Sequence, residues 1–236
     1  PSYSFAMSNV KITAKSVSYF IRKLLGNNIL DNVTTVHLTG HSLGAQICGL
    51  VGKDYQNPKI PTITALDPAG PGFYRKNSKK RLDKNDALSV TVVHTDAGEN
   101  ILQGFGILDK LGHFDFYTNS GANQPGCFNS TTYKRTINSM KHMKISCSHH
   151  RAVDLMSDFD YHNNETSPIG YACSNYATFL EGRCADCGTS DAKKCRLMSL
   201  WYDVYTTDIT GYAATTFYIA NNYVKPFYRK NSFDWV

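Results

Sequence analysis

Ten residues constrain this chain more than any others: Val36-His37-Leu38-Thr39-Gly40-His41-Ser42-Leu43-Gly44-Ala45. An apolar run stops at a glycine, a serine has glycine two residues to either side, and a helix-compatible run follows. Gly-x-Ser-x-Gly between a strand and a helix is the pattern of a nucleophile elbow. That turn is so tight that the positions two before and two after the serine must be very small. The ordinary abundance of glycine yields the bare pattern by chance in roughly one chain of this length in ten to twenty. Its neighbours therefore decide what it means.

A chain of 236 residues can bury one large core or two small ones. The composition is globular, 42% hydrophobic and 19% charged. No apolar run approaches the ~20 residues of a membrane-spanning helix. A formal net charge of +6 favours anionic surfaces such as phospholipid. It carries no nucleic-acid signature, because the basic residues form no recognition motif.

Seven cysteines stand at 48, 127, 147, 173, 184, 187 and 195, six of them in the C-terminal half. Cys184-Ala185-Asp186-Cys187 has no second pair at zinc-finger spacing, so disulfides and an oxidising, extracellular compartment are expected rather than metal. Cys48, inside the helix after the elbow, is expected to be a buried free thiol. Sequons at Asn32, Asn129 and Asn164 agree with a secreted glycoprotein. The chain starts at Pro1 without a signal peptide, which reads as a processed or N-terminally incomplete protein.

Along the chain, residues 9–25 place Val10, Val17, Phe20, Ile21, Leu24 and Leu25 near helical spacing, with Gly26 as a stop. The strand ending at the elbow follows, then a helix over 43–54. Residues 60–66 and 88–95 read as buried strands from their β-branched content. This alternation is α/β order with a mainly parallel sheet flanked by helices. Beyond about residue 97 helical periodicity is faint except over 150–158. The segment Phe-Tyr-Arg-Lys-Asn-Ser occurs at both 73–78 and 227–232 without forming a structural repeat. No linker divides the chain, so a single domain over 1–236 is expected.

A serine hydroxyl needs a histidine to take its proton and a carboxylate to orient that histidine. Behind an elbow of this kind the order is Ser, Asp/Glu, His. Asp67 ends the next apolar strand and precedes Pro68, so it lies at the same sheet edge as Ser42. Position alone leaves Asp67 as either the orienting acid or a loop cap, with Asp83, Asp86 and Asp96 as rivals. Among eight histidines, His37 and His94 read as strand residues, and the side chain of His41 need only fit locally. His113 and His142 fall in loops. His149 and His150, just after Cys147, are the best-placed bases, and spacing does not separate them.

Several blocks together resemble the pancreatic lipase family. They are Gly40-His41-Ser42-Leu43-Gly44-Ala45, Ala65-Leu66-Asp67-Pro68-Ala69-Gly70-Pro71, Val93-His94-Thr95-Asp96, Gly112-His113-Phe114-Asp115-Phe116-Tyr117, Gln124-Pro125-Gly126-Cys127 and Cys147-Ser148-His149-His150-Arg151-Ala152. They run in order over roughly residues 9–205. The resemblance implies an α/β-hydrolase fold and a secreted serine esterase that degrades lipid. Its catalytic residues would be Ser42, Asp67 and His149, with the Leu43 amide in the oxyanion hole. It also implies the disulfides Cys127–Cys147, Cys173–Cys184 and Cys187–Cys195.

Between Cys127 and Cys147 the family carries a lid. Here that segment interleaves Lys134, Arg135, Lys141 and Lys144 with Phe128, Tyr133, Ile137, Met140 and Met143, a mixture suited to an anionic lipid interface. Its length points to acylglycerols, whereas the venom phospholipases A1 of the family have shorter lids. The basic surface keeps phospholipid open. Arg81, Asp83 and Asp86 match the family's calcium loop, although Ser78 stands where some members have a glutamate ligand. A structural calcium ion is thus expected at most, and the chemistry requires no cofactor.

The resemblance also implies departures. Family members have further residues upstream that carry the first sheet strands and a second oxyanion amide, so this domain is expected to be N-terminally incomplete. Neither a C-terminal β-sandwich domain nor a colipase partner is expected. The reading is a triacylglycerol lipase-like ester hydrolase. The alternatives are a phospholipase A1 and, from a different class, a non-catalytic lipid-binding relative resembling yolk proteins.

Overall fold

The structure, a computed structural model, describes residues 2–127, 147–157, 168–188, 193–198 and 216–222. Helix α1 (Tyr3–Gly26) begins at Ser2, whose side chain accepts the Phe5 amide, an ordinary N-cap. It starts six residues before the sequence expectation because residues 3–8 lack an apolar period, and the cap rather than the pattern marks the start. Its buried Val10, Ala14, Ser18 and Ile21 follow the 3–4-residue spacing of a single helix face. Strand β1 (His37–His41) leads into α2 (Leu43–Asp54), then come β2 (Thr62–Leu66) and β3 (Ser89–His94). These match the sequence expectations to within a few residues.

The short pair β4 (Ala97–Gly98) and β5 (Gly106–Ile107) forms its own two-stranded sheet. Strand β6 (Phe114–Thr118), helix α3 (Cys147–Ser157), strand β7 (Ile169–Ala172), helix α4 (Tyr176–Leu180), strand β8 (Cys195–Leu197) and strand β9 (Thr216–Ile219) complete the described elements. The main sheet has the order β1-β2-β3-β6-β9-β7-β8. The first five strands run parallel, and β7 pairs antiparallel with both β9 and β8. This is the expected α/β-hydrolase type of architecture, mainly parallel with helices on the faces.

Strand residues alternate between the two faces of a sheet, and two cores follow from that. Ile63, Ala65, Val90 and Val92 point to one side, where Val10 of α1 and Ala45 and Cys48 of α2 cover them. Leu66, Val93, Phe114 and Phe116 point to the other, where Ala152, Leu155 and Met156 of α3 cover them. Every residue of β2, β3 and β6 is buried, as strands covered on both faces must be. Cys48 is the free cysteine and is buried. The three disulfides pair as the family resemblance implies. The lid segment 128–146, the sequons at Asn129 and Asn164 and the second copy of the repeated hexapeptide lie outside the described residues.

Phe116 is fully buried and stacks on Phe217 with ring centroids 5.3 Å apart. Truncating it leaves a cavity between β6, β9 and α3. Phe116→Ala is expected to lower unfolding stability by ~3–5 kcal/mol, as measured by urea denaturation with the disulfides intact.

Candidate active site

The site grows out of one register. β1 and β2 pair in parallel with His41 opposite Leu66, so the residues that leave the two strands next, Ser42 and Asp67, emerge side by side at one sheet edge. Both have positive φ, 58° for Ser42 and 41° for Asp67. Such a conformation in a non-glycine residue costs roughly 1–3 kcal/mol and persists where its surroundings over-determine it. Here the surroundings do so. The Ser42 amide donates to the Leu66 carbonyl at 3.0 Å, and the Ser42 carbonyl accepts the Ala69 amide at 3.1 Å. The Asp67 amide donates to the Val93 carbonyl at 2.7 Å.

The turn is tight because the chain leaves β1 and enters α2 across a single residue. A Cβ on Gly40 would lie 2.4 Å from both the carbonyl carbon and the oxygen of Gly44, so this glycine is required by contact. A Cβ on Gly44 would meet nothing within 4 Å. Among the described residues the smallness rule binds the first glycine and not the second, which corrects the symmetric expectation. Leu43 opens α2, and the first amides of a helix have no intrahelical acceptor and offer their N–H groups to an anion.

Asp67 is fully buried. Its Oδ1 accepts the Thr95 and Asp96 amides at 2.9 and 3.1 Å, and its Oδ2 accepts Nδ1–H of His149 at 2.5 Å. The carboxylate packs against Gly106, where a Cβ would come within 2.4 Å of Oδ1. Of the two adjacent histidines, His149 is buried and meets Asp67, whereas His150 is exposed. Asp96 sits close by: one atom each from Asp67, Asp96 and His149 lie within 4.8 Å of one another. Its Oδ2 accepts the Phe105 amide at 3.2 Å.

His94 and His113 have structural partners. The ring of His94 lies flat on Tyr117 at 4.3 Å, with its nitrogens at the Ile107 carbonyl and the Asp115 carboxylate, 2.9 Å from each. Nδ1 of His113 accepts the Val90 amide at 3.0 Å. His142 lies outside the described residues.

Two residues near the base carried no assigned role in the sequence. His149 is the third residue of α3, which starts at Cys147 of the Cys127–Cys147 disulfide. Buried Gln124 donates its backbone amide to the Ser148 hydroxyl at 3.1 Å, and its side-chain amide to the carbonyls of Thr95 and Thr118 at 2.9 and 2.8 Å. It thus ties the turn that holds His149 to the chain that holds Asp67. The second is His41, whose Nε2–H donates to the His149 carbonyl at 2.9 Å. Burial, with further help from the nearby His149, pushes its pKa down to about 4. No spacing rule reveals either contact, because the partners stand 24 and 108 residues away.

The expected calcium loop has its donors otherwise engaged. Asp86 is buried, with Oδ1 2.5 Å from the Lys53 ammonium and Oδ2 accepting the Asp83 amide at 2.8 Å. Burial raises its pKa to about 6 even against the attraction of Lys53. Asp83 accepts the backbone and side-chain N–H groups of Asn85. The Arg81 guanidinium donates to the carbonyls of Lys76 and Leu82. Of the three residues, Asp86 as arranged is thus already paired with an ammonium.

Comparison with known proteins gives the family. The family model for Lipase matches residues 1–227. The chain is 34% identical to Lipase member H of Danio rerio over 227 residues, 96% of this chain and 46% of that protein. It is 35% identical to the hepatic triacylglycerol lipase of Rattus norvegicus over 207 residues, 86% of this chain and 40% of that protein. It is 37% identical to Phospholipase A1 member A of Bos taurus over 186 residues, 79% of this chain and 37% of that protein. The chain thus spans less than half the length of these relatives.

Two outcomes test the geometry. Gly40→Ala is expected to prevent the elbow from forming and to leave little folded protein, whereas Gly44→Ala folds with stability close to wild type, read by thermal unfolding. His41 adds a pH dependence. Its folded pKa of about 4 lies below its unfolded value of 6.5, so between these values the unfolded chain binds the extra proton. Stability is therefore expected to fall on acidification from pH 6.5 toward 4, and to fall less in His41→Phe, in parallel denaturation series.

Proposed function

The chain belongs to the Lipase family, and on that premise we propose that it is a serine ester hydrolase of lipids acting through Ser42, His149 and Asp67. The observation that carries the reading is the 2.5 Å bond from Nδ1 of His149 to the buried Asp67, beside a strained serine at a strand-to-helix turn. A bond at Nδ1 fixes the imidazole tautomer and leaves Nε2 with its lone pair, the state a general base needs.

In the proposed reaction, Nε2 of His149 takes the Ser42 hydroxyl proton as Oγ attacks the acyl carbonyl. Asp67 keeps the ring oriented and stabilises the imidazolium. The Leu43 amide faces the developing oxyanion, and a donor in that role is worth on the order of 100-fold or more in rate. Collapse of the tetrahedral intermediate passes the proton from His149 to the leaving alcohol and leaves an acyl-Ser42 ester. Water, deprotonated by the same histidine, then releases the fatty acid.

Relatives named as triacylglycerol lipase and phospholipase A1 support a lipid ester as the substrate. Acylglycerol is the first reading, from the length of the segment between Cys127 and Cys147, which are 20 residues apart. Phospholipid hydrolysis at sn-1 is the second, favoured by the net charge of +6. A non-catalytic lipid binder fits less well, since it has no use for the oriented His149–Asp67 pair. Three disulfides suit an oxidising, extracellular setting, and no described helix is long and apolar enough to cross a membrane. We read Lys53 as the cation that Asp86 takes in place of calcium, which the Lys53–Asp86 ion pair supports.

The intact protein is expected to hydrolyse emulsified triolein faster than phosphatidylcholine and to label at Ser42 with a serine-directed phosphonate. Ser42→Ala abolishes both, and Asp67→Asn lowers kcat by about 10⁴-fold. Reversal of the two rates moves the assignment to phospholipase A1, and absence of labelling favours the lipid-binding reading. A chelator is expected to leave rate and melting temperature unchanged; a drop in either would restore the calcium loop.

A further inference from the structure

A general base has to be held in two respects. Its ring must be oriented, and its backbone must be kept at the right distance from the nucleophile. Asp67 supplies the first hold by its bond to Nδ1 of His149. The second is less evident, because His149 arrives on a different element, 107 residues after Ser42 in sequence, and at the very start of α3. The disulfide and the Gln124–Ser148 bond anchor the turn just before it. One contact runs directly from the elbow to the base itself. His41, the last residue of β1 and the one before the nucleophile, points its Nε2–H at the carbonyl oxygen of His149.

We propose that His41 is a positioning residue for the reaction, clamping the backbone of the base to the elbow that carries the nucleophile. Its bond to the His149 carbonyl is 2.9 Å, and the two rings lie 4.5 Å apart and tilted by 48°. The ring of His150 lies edge-on to that of His41 at 5.2 Å. A carbonyl oxygen only accepts, so Nε2 of His41 carries the hydrogen. The neutral ring then needs no proton on Nδ1.

Neutrality matters at this place. When His149 takes the Ser42 proton it becomes an imidazolium, and a second positive ring at 4.5 Å would oppose that charge through the poorly solvated space between them. A lysine or arginine at residue 41 could reach the same carbonyl, but only by adding that opposing charge. The chemistry of the position therefore calls for a neutral donor of this reach. The geometry also explains why the clamp sits beside the nucleophile. Ser42 and His41 share one strand end, so any shift of β1 carries both the nucleophile and the tether of its base together.

The proposal rests on the serine-hydrolase reading, and the experiment separates the two. The intact protein would carry His41→Phe, which keeps ring and volume but loses the donor, and His41→Gln, which restores an N–H donor on a neutral side chain. The kinetic substrate is p-nitrophenyl butyrate, small and soluble, so that lipid-surface binding does not enter. His41→Phe is expected to lower kcat on the order of 10- to 100-fold, the scale of a misplaced catalytic group, with KM little changed. His41→Gln recovers most of that loss, and the melting temperatures of the two variants do not follow the same order as their kcat values.

A second readout does not depend on turnover. The Nδ1 proton in the short His149–Asp67 bond is expected as a far-downfield resonance in wild type and His41→Gln, and to broaden or move upfield in His41→Phe. If His41→Phe keeps wild-type kcat, or if both variants lose activity equally and in step with stability, the clamp is overturned. If wild type itself does not turn over, the hydrolase reading fails. The resonance then decides the clamp: unchanged in His41→Phe, it overturns the contact's positioning role as well.

Discussion

A carboxylate with no solvent exposure is costly unless its oxygens are fully hydrogen-bonded, and Asp67 is such a group. From the end of β2 its two oxygens draw donors from two other parts of the chain: the turn after β3, through the Thr95 and Asp96 amides, and the start of α3, through His149. The chain 104–106 comes so close that residue 106 has no room for a Cβ. These segments could not vary independently without leaving an oxygen of Asp67 unsatisfied. The buried carboxylate thus fixes the relative positions of the sheet edge, the loop and the helix, and His149 is one of the donors that its burial demands.

The sequence was most legible where the determinant is local. The elbow, α2, β2 and β3 are each written in a run of residues whose period or breaker is self-contained, from Gly40 through Leu66 to the Val90–Val93 stretch. Asp67 was found because it ends a strand, and its partner was narrowed to His149 or His150 because both follow a cysteine. What separates those two in the fold is burial and the bond to Asp67, features of tertiary contact. The sequence alone could not rank them, and the choice came from family resemblance. β7, β8 and β9 escaped for the same reason. In the order β6-β9-β7-β8 a parallel pairing gives way to two antiparallel ones made by distant segments, and short strands of three or four residues carry too little alternation to read. Gln124 and His41 are polar residues whose role is to bridge, so nothing in their own neighbourhoods marks them.

Ser42 and His149 come from elements that do not adjoin in sequence, and several independent ties hold the segments that carry them. The β1–β2 register fixes the elbow relative to Asp67. The Asp67–His149 bond fixes the ring, while the Cys127–Cys147 disulfide and the Gln124 amide fix the turn before it. Ties of different chemistry respond differently to perturbation: a disulfide is insensitive to pH, and a hydrogen bond between neutral groups is insensitive to salt. A site built this way keeps its geometry under changes that would weaken any one tie. The strained φ of Ser42 is held in the same manner, by backbone bonds from Leu66 and Ala69 rather than by its own preference.

The far end of α2 shows how a second buried carboxylate is accommodated with other means. Lys53 lies in the last turn of the helix, where the unsatisfied carbonyls carry partial negative charge and a cation is favourable. The same ammonium reaches Asp86, so one charge answers both the helix terminus and the buried carboxylate. The opposite terminus begins at Leu43, and the N-terminus of a helix favours an anion. A negative charge at a helix N-terminus and a positive charge at its C-terminus both lower the energy of the same dipole. Holding Lys53 in place by Asp86 keeps that arrangement rigid, and it does so without placing a mobile ion between the helix and the loop. The elbow therefore stands at the favourable end of a helix whose other end is already neutralised from within the chain.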